Sequence, residues 1–140
     1  MTTHSYIVVD GANVAYAEVS HDGKPKVSNL VAVRRTLEAR GYRPIFIIDA
    51  SLRHDIDDPK QLEALIDAQV IRQAPAGTDA DYFVLETADE MEACVVSNDE
   101  FTRHRGRYPW IDERRIPLML IKGRVELYER DFEKSHEQGH

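Results

Sequence analysis

The sequence contains a single cysteine, Cys94, so no disulfide can form within the chain. Such cysteine usage is typical of a reducing compartment, and we expect a cytoplasmic protein. No apolar run approaches the roughly 20 residues that a membrane-spanning helix needs. The opening residues, MTTHSY, include neither a basic segment nor a long apolar stretch, so we expect no secretory signal. The sequence therefore favours neither a membrane protein nor a disulfide-rich secreted domain.

Several chemistry-bearing motifs are also missing. The chain has no GxGxxG or Walker pattern for binding nucleotide phosphates and no CCCH zinc-finger pattern. Cys94 lies in an apolar segment and is predicted to be part of the core rather than a nucleophile. The histidines show no ligand spacing such as HxxxH, and surface positions are expected for them, although His104 could reach a phosphate. The histidines are His4, His21, His54, His104, His136 and His140.

The charge is unevenly distributed. The 140 residues have a net charge of −7, which disfavours a nucleic-acid partner when taken alone. A basic segment over residues 101–115 nevertheless contains five arginines. The length and the ordinary apolar content predict one domain over residues 1–128, followed by a flexible tail over 129–140. The five arginines are Arg103, Arg105, Arg107, Arg114 and Arg115.

Apolar segments with strand character alternate with segments of helical periodicity. This alternation predicts an α/β fold, in which helices cover both faces of a central, mainly parallel sheet. Strands are predicted at 6–9, 43–49, 69–73 and 92–99, with a fifth strand, a Lys-Gly turn and a short partner strand within 116–128. Helices are predicted over 29–40 with Ser28 as N-cap and Gly41 as the stop, from Asp58-Pro59 onward, and from Thr78 as N-cap to about Ala88.

Acidic residues stand where the predicted strands end. Asp10 follows the first strand, Asp99 follows the fourth, and Asp79 and Asp81 open the helix after the third. A helix start with acids in its first turn explains "TDAD" alone, but it does not explain why the other two acids converge on the same edge. Like charges this close repel unless a cation compensates them. We therefore predict that these four residues bind Mg²⁺ or Mn²⁺.

Neutral polar residues flank the predicted metal site. Asn13 would lie about one turn beyond Asp10, where an amide can contact phosphate or water without adding charge. Ser97 and Asn98 could position substrate beside Asp99. A helix-capping or turn role explains Asn13 equally well, and for Asn98 the turn role is favoured.

Three segments together resemble a known family. In order and spacing, "VVDGANVAY", "GTDADYFVLETA" and "CVVSND" are similar to the NYN branch of the PIN-like nucleases, in particular the Regnase (MCPIP)-type ribonuclease domain, over residues 6–122. The resemblance implies a three-layer PIN-like (Rossmannoid) fold. It also implies a metal-dependent endoribonuclease that hydrolyses single-stranded or looped RNA by a water activated by Mg²⁺ or Mn²⁺ and leaves a 5′-phosphate.

The family pattern can be carried over residue by residue. The resemblance implies catalytic roles for Asp10, Asn13, Asp81 and Asp99, with the three acids also binding metal. The family usually has two adjacent acids where this chain has Asp79-Ala80-Asp81, so Asp79 would replace one of them. A further family acid, four residues after the "SND" aspartate, is Arg103 here. The basic loop before the paired acids is reduced to "RQAPAG".

The basic segment after Asp99 is the predicted RNA surface. Arg103, Arg105 and Arg107 are expected to bind phosphates, because guanidinium groups make bidentate contacts with them. Aromatic faces at Tyr108 and Trp110 could stack unpaired bases, although Trp110 is predicted to pack into the core instead.

Other functions remain open from the sequence. A catalytically silent module that binds RNA or protein is the main alternative, and Arg103 in place of an acid favours it. A metal-dependent phosphatase ranks last, because Ala12 stands where that class needs a second acid. A homodimer and an antitoxin-type protein partner are both compatible with the sequence.

Overall fold

A computed structural model of the protein describes residues 5–129, so the predicted tail lies outside the described residues except for Glu129. Helices and strands alternate through most of this range, as the periodicity predicts. The strands are β1 (Ser5–Asp10), β2 (Tyr42–Ile48), β3 (Ile71–Gln73), β4 (Cys94–Val96), β5 (Arg115–Ile116), β6 (Leu118–Ile121) and β7 (Arg124–Leu127). The helices are α1 (Gly11–Ala15), α2 (Val27–Ala39), α3 (Leu52–Asp55), α4 (Pro59–Asp67), α5 (Ala80–Met91) and α6 (Ile111–Arg114), with a 3₁₀ turn at Thr102–His104.

Five parallel strands form the central sheet in the order β3-β2-β1-β4-β5. Along the chain, β2 is added beside β1, and β3 is then added beside β2. The chain then crosses back to place β4 on the other side of β1 and β5 beyond it. This reversal of direction falls between β1 and β4, whose residues Ile7 and Cys94 are paired. A parallel sheet opens a crevice at such a reversal, outside the carboxyl ends of the strands.

Apolar layers pack on both faces of the sheet. Alternate residues of β1 point to opposite faces, so Ile7 and Val9 belong to one core while Val8 belongs to the other. The first core is covered by α1, α2, α4 and the β6–β7 hairpin. The second is covered by α5 and by the segment that follows β4. The predicted three-layer α/β architecture is therefore confirmed.

Two predicted helix caps are wrong, and two helix boundaries are confirmed. Helix α2 begins at Val27 without a side-chain cap, so Ser28 lies inside it. Helix α5 is capped by Asp79, whose side chain accepts the Asp81 N–H, rather than by Thr78. It also continues to Met91, beyond the predicted end. The Asp58-Pro59 start of α4 and the end of α2 before Gly41, which has a φ of +91°, are as predicted.

In the region from 116 to 128, the Lys-Gly turn and its short partner strand are as predicted, but the predicted fifth strand is divided into two. Residues Arg115–Ile116 alone join the main sheet, as β5. Strands β6 and β7 form a separate antiparallel hairpin. Its turn at Lys122-Gly123 has φ of +51° and +79°, the left-handed pair that a two-residue hairpin turn requires. Strands β3 and β4 are also shorter than predicted, because only three residues of each pair in the sheet.

Within residues 5–129, no helix combines the length and apolar character needed to cross a membrane.

Candidate active site

The candidate site lies at the carboxyl edge of the sheet, at the reversal between β1 and β4. Asp10 is the last residue of β1, and Ser97, Asn98 and Asp99 follow β4 directly. The first turn of α5 contributes Asp81 to the same edge. Three segments that are distant in sequence therefore meet where parallel sheets generally bind their ligands.

The three carboxylates of Asp10, Asp81 and Asp99 come together. One carboxylate oxygen from each residue lies within 4.8 Å of the corresponding oxygens of the other two. Asp10 is only 7% exposed, and the other two are half-buried. At this separation in a partly dehydrated site the carboxylates repel one another strongly when all are ionised.

Asp10 is harder to ionise than an exposed aspartate. Its pKa is raised from 3.8 to about 6, chiefly by burial, and the charges of Asp81 and Asp99 contribute to this rise. Two hydrogen bonds act in the opposite direction: Ser97 Oγ donates to Asp10 Oδ2 at 2.8 Å, and the Asn13 N–H donates to Oδ1 at 3.5 Å. The second bond makes Asp10 the N-cap of α1. A capping role alone does not require burial against two other acids.

Asp81 has a similar but weaker perturbation. Burial raises its pKa, and the charges of Asp99 and Asp79 add to this effect. The charges of His104 and Arg103 lower the pKa of Asp81. The basic segment after Asp99 therefore already contributes positive charge at the edge of the acidic group.

The loop after β4 is held in place by a hydrogen-bond relay through Ser97. This serine is fully buried; its Oγ accepts the Asp99 N–H at 3.0 Å while donating to Asp10. Asp99 Oδ1 in turn accepts the Phe101 N–H at 2.8 Å. Phe101 is buried and has a φ of +52°, a left-handed conformation that is strained for a bulky residue. The loop thus presents Asp99 in a fixed orientation.

The two asparagines connect the loop to its surroundings. Asn13 Oδ1 accepts the backbone N–H of Asn98 at 2.9 Å, which ties α1 to the loop. The side chain of Asn98 pairs with the backbone of Leu118, donating to its oxygen at 2.9 Å and accepting its N–H at 2.8 Å. Both amides therefore position the site, and Asn98 connects it to the β6–β7 hairpin.

His104 is the residue whose place sequence reasoning missed. It was expected at the surface, but its side chain is only 16% exposed and its Nε2 lies 3.3 Å from Asp79 Oδ2. Asp79, Asp81 and His104 form a second group of potential metal ligands, which shares Asp81 with the first. Asp79 is thus adjacent to the three-carboxylate group rather than part of it. Only the position of His104 five residues after Asp99 hints at this in the sequence.

The three predicted phosphate-binding arginines have different surroundings. Arg103 is exposed, and its charge acts on Asp81. Arg105 is engaged with the protein, since it pairs with Asp112 at 2.5 Å and donates to the Glu100 carbonyl at 3.0 Å. Arg107 is exposed, and its guanidinium lies over the Tyr82 ring, 5.2 Å from the ring centre.

The predicted aromatic platform is wrong for Tyr108. Its ring is 1% exposed, and its hydroxyl donates to Glu86 at 2.6 Å, so the ring offers no face to a base. Trp110 packs against the core as predicted. Its Nε1 donates to Asp89 at 2.7 Å, and the Arg114 guanidinium covers the ring at 3.9 Å.

The donors at this site fit a hard divalent cation. Asp10, Asp81 and Asp99 offer only oxygen atoms, the ligand type that Mg²⁺ and Mn²⁺ favour. A doubly charged cation would also offset the burial and the neighbouring charges that together raise the pKa of Asp10. His104 adds a nitrogen donor at the neighbouring group.

The fold recurs in solved structures. Nuclear proteinaceous RNase P 2 (PRORP2) from A. thaliana matches with a TM-score of 0.70 and 21% identity, over 91% of this chain and 30% of that chain. A further structure of Arabidopsis thaliana nuclear protein-only RNase P 2 matches with a TM-score of 0.70 and 22% identity, over the same shares of the two chains. At these identities the likeness establishes a shared fold, and this chain spans less than a third of PRORP2. No match is found among curated protein sequences.

A parallel sheet of this order, with carboxylates gathered at its reversal point, defines an α/β domain with an acidic site at the carboxyl edge of the sheet. Residues 3–134 match the Zc3h12a-like ribonuclease NYN domain family. The chain belongs to this family, and the resemblance to NYN/PIN-like ribonuclease domains is confirmed. The family is one of ribonuclease domains by its description.

Proposed function

We propose that this protein is a metal-dependent endoribonuclease of the Regnase type, which hydrolyses phosphodiester bonds in single-stranded or looped RNA with Mg²⁺ or Mn²⁺. The supporting observation is the meeting of Asp10, Asp81 and Asp99 within 4.8 Å at the reversal point of the sheet. Folding brings these charges together against their repulsion, and a structural role for each residue alone leaves this cost unexplained.

The chain's own residues prepare the site in two ways. Asp10, Asp81 and Asp99 would hold the cation, with Asp79 and His104 beside them. Ser97 orients Asp10 and Asp99 together through its single hydroxyl. When bound, a divalent cation lowers the pKa of a water and polarises the phosphodiester.

Asn13 has a positioning role in this proposal. Its side-chain oxygen holds the backbone of Asn98, and its N–H contacts Asp10, so it connects the two strand ends that contribute carboxylates. Because the side-chain oxygen and the backbone N–H of Asn13 already have hydrogen-bond partners, its side-chain NH₂ is the group that would contact the substrate.

The exposed arginines supply the proposed RNA contacts. Arg103 and Arg107 lie on the segment that follows Asp99, and both are open to solvent. Phosphates bound there would pass beside the acidic group, whose own charge repels an RNA backbone. Binding should therefore weaken steeply as the salt concentration rises.

A direct test is the incubation of labelled single-stranded RNA with the protein and Mn²⁺, with EDTA, and with the Asp99→Asn variant. We expect cleavage that requires both the metal and Asp99. Internal cuts, rather than single nucleotides released from an end, would show that the enzyme is an endonuclease. Cleavage that persists in EDTA or in the variant would contradict the proposal.

A silent RNA-binding module is the competing function. The charge of Arg103 lies close enough to lower the pKa of Asp81, so it compensates part of the acidic charge without a metal. RNA binding without cleavage in Mn²⁺ would favour this alternative. A cytoplasmic location, a single domain over residues 1–128, a homodimer and an antitoxin-type partner stay predictions from the sequence.

A further inference from the structure

The segment after Asp99 runs along the first turns of α5 and touches them at two places. His104 lies beside Asp79, and Arg107 lies over Tyr82. The two contacts are three residues apart on the segment, and they are also three residues apart along α5 and its N-cap. The contact at Arg107 is therefore a continuation of the active-site edge, one step further along the helix.

The direct contacts of Arg107 are with aromatic rings, and the charge of Glu86 acts on it from nearby. Its guanidinium lies 5.2 Å from the centre of the Tyr82 ring and 5.8 Å from that of Tyr108. An Nη2 atom also donates to the Tyr82 hydroxyl at 3.5 Å. Rings orient a guanidinium without neutralising it, so its charge and most of its N–H groups stay available to an anion.

The neighbouring arginine shows the contrast. The guanidinium of Arg105 pairs with Asp112 and donates to the Glu100 carbonyl, so its charge is compensated by a residue of the same chain. Arg107 is exposed and directed by rings, the arrangement expected of a residue that binds phosphate.

We propose that Arg107 binds a backbone phosphate of single-stranded RNA next to the scissile position, and that Tyr82 is the positioning residue that orients it. This inference rests on the proposed function, because it takes RNA as the substrate. Tyr82 directly follows Asp81 in the sequence, so the phosphate site adjoins the acidic group. The ring of Tyr108, which is buried, also contacts this guanidinium.

The test measures the affinity of a fluorescent single-stranded RNA of eight nucleotides for the full chain, across a salt series. The Asp99→Asn background prevents cleavage during the titration. We expect Arg107→Ala to weaken binding about tenfold at low salt, and to reduce the slope of log K against log salt by about 0.7, the value for one lost phosphate contact. Arg124→Ala is the matched control, because it removes the same charge from a residue of 83% side-chain exposure on β7.

The positioning role of Tyr82 is tested by comparing its variants with and without Arg107. Tyr82→Leu should weaken binding severalfold, whereas Tyr82→Phe, which keeps the ring face, should bind nearly as the parent does. In the Arg107→Ala background, Tyr82→Leu should add nothing, since a positioning residue acts only through its partner. The melting temperature of each variant confirms that the fold is retained.

Three results would overturn the inference. If Arg107→Ala left the salt slope unchanged, Arg107 would not contact a phosphate. If Arg124→Ala reduced the slope equally, the effect would be a non-specific result of lost charge. An undiminished effect of Tyr82→Leu without Arg107 would show that the ring itself binds a base. Cleavage by the otherwise unaltered protein in Mn²⁺, measured in parallel, separates these failures from a failure of the proposed function, which would show as no cleavage at all.

Discussion

Asp10 and Asp49 follow neighbouring parallel strands at the same edge of the sheet, yet the structure uses them differently. Asp49 Oδ1 accepts the Leu52 N–H at 3.1 Å and the Ser51 hydroxyl at 2.9 Å, so it organises the turn into α3. Asp10 also caps a helix, but it is buried against Asp81 and Asp99.

The difference arises from the order of the strands. Asp49 follows β2, which lies between β1 and β3, where the chain advances in one direction. Asp10 follows β1 at the reversal, so the loop after β4 can bring Asp99 to it. An acid at a strand end is therefore a functional residue only where the topology supplies further acids. Four predictions test this contrast.

The largest expected effect is on catalysis. Asp10→Asn should lower the rate of RNA cleavage by about 10³-fold, because a lost cation ligand forfeits several kcal/mol of transition-state stabilisation. Asp49→Asn should cleave within about twofold of the unaltered protein. Single-turnover assays in Mn²⁺ measure both rates. Equal losses in the two variants would abolish the distinction between these strand ends.

The second predicted effect is on stability, and it compares the residues that directly follow the two aspartates. Gly11 follows Asp10, and a Cβ there would lie 2.5 Å from Ile48 Cγ2 and 2.8 Å from the Ile47 oxygen. The residue after Asp49 is an exposed alanine. Gly11→Ala should therefore destabilise the fold by about 1–3 kcal/mol, measured by urea unfolding. Ala50→Ser, the control, should change the stability by less than about 0.5 kcal/mol.

The third predicted effect is that Asp10→Asn raises the free energy of unfolding when no metal is bound. Because the pKa of Asp10 is raised from 3.8 to about 6, ionising this residue costs the native state up to about 3 kcal/mol. Between these pH values the native state binds more protons than the unfolded chain does, so this contribution to stability falls as the pH rises. Asp10→Asn should therefore be more stable than the unaltered protein by about 1–3 kcal/mol above pH 6.

The gain should disappear below about pH 4, where Asp10 is protonated in both the native and the unfolded states. Urea titrations in EDTA at several pH values follow this dependence. A variant that is less stable at every pH would show that the two hydrogen bonds of Asp10 outweigh the cost of its burial and its repulsion by Asp81 and Asp99.

The smallest effect is expected at Asp49. Asp49→Ala removes the acceptor for the Leu52 N–H and should lower the free energy of unfolding by about 0.5–1 kcal/mol. Cleavage should remain unchanged, because α3 contributes no residue to the acidic group. Thermal melts and cleavage assays on the same preparation separate the two properties. A marked loss of activity would show that α3 contributes to the site.

Local sequence patterns were sufficient for much of the fold. Continuous apolar runs placed β1 and β2, and Asp58-Pro59 and Gly41 marked real helix boundaries, because these signals depend on neighbouring residues alone. Predictions failed where a distant contact decides the outcome. Tyr108 looks like an exposed aromatic in a basic loop, but its ring fills space beneath that loop. The wrong cap of α5 has a local cause instead, since Asp79, and not the adjacent Thr78, accepts the Asp81 N–H.

The sequence by itself determined the residue types of this protein: acids where parallel strands end, an asparagine one turn into the first helix, and arginines after the fourth strand. Only the tertiary structure decided which of them meet. It joined Asp10, Asp81 and Asp99, brought His104 to Asp79, and placed Arg107 on Tyr82. Strand order and loop conformation set these encounters, and both depend on packing between segments far apart in the chain.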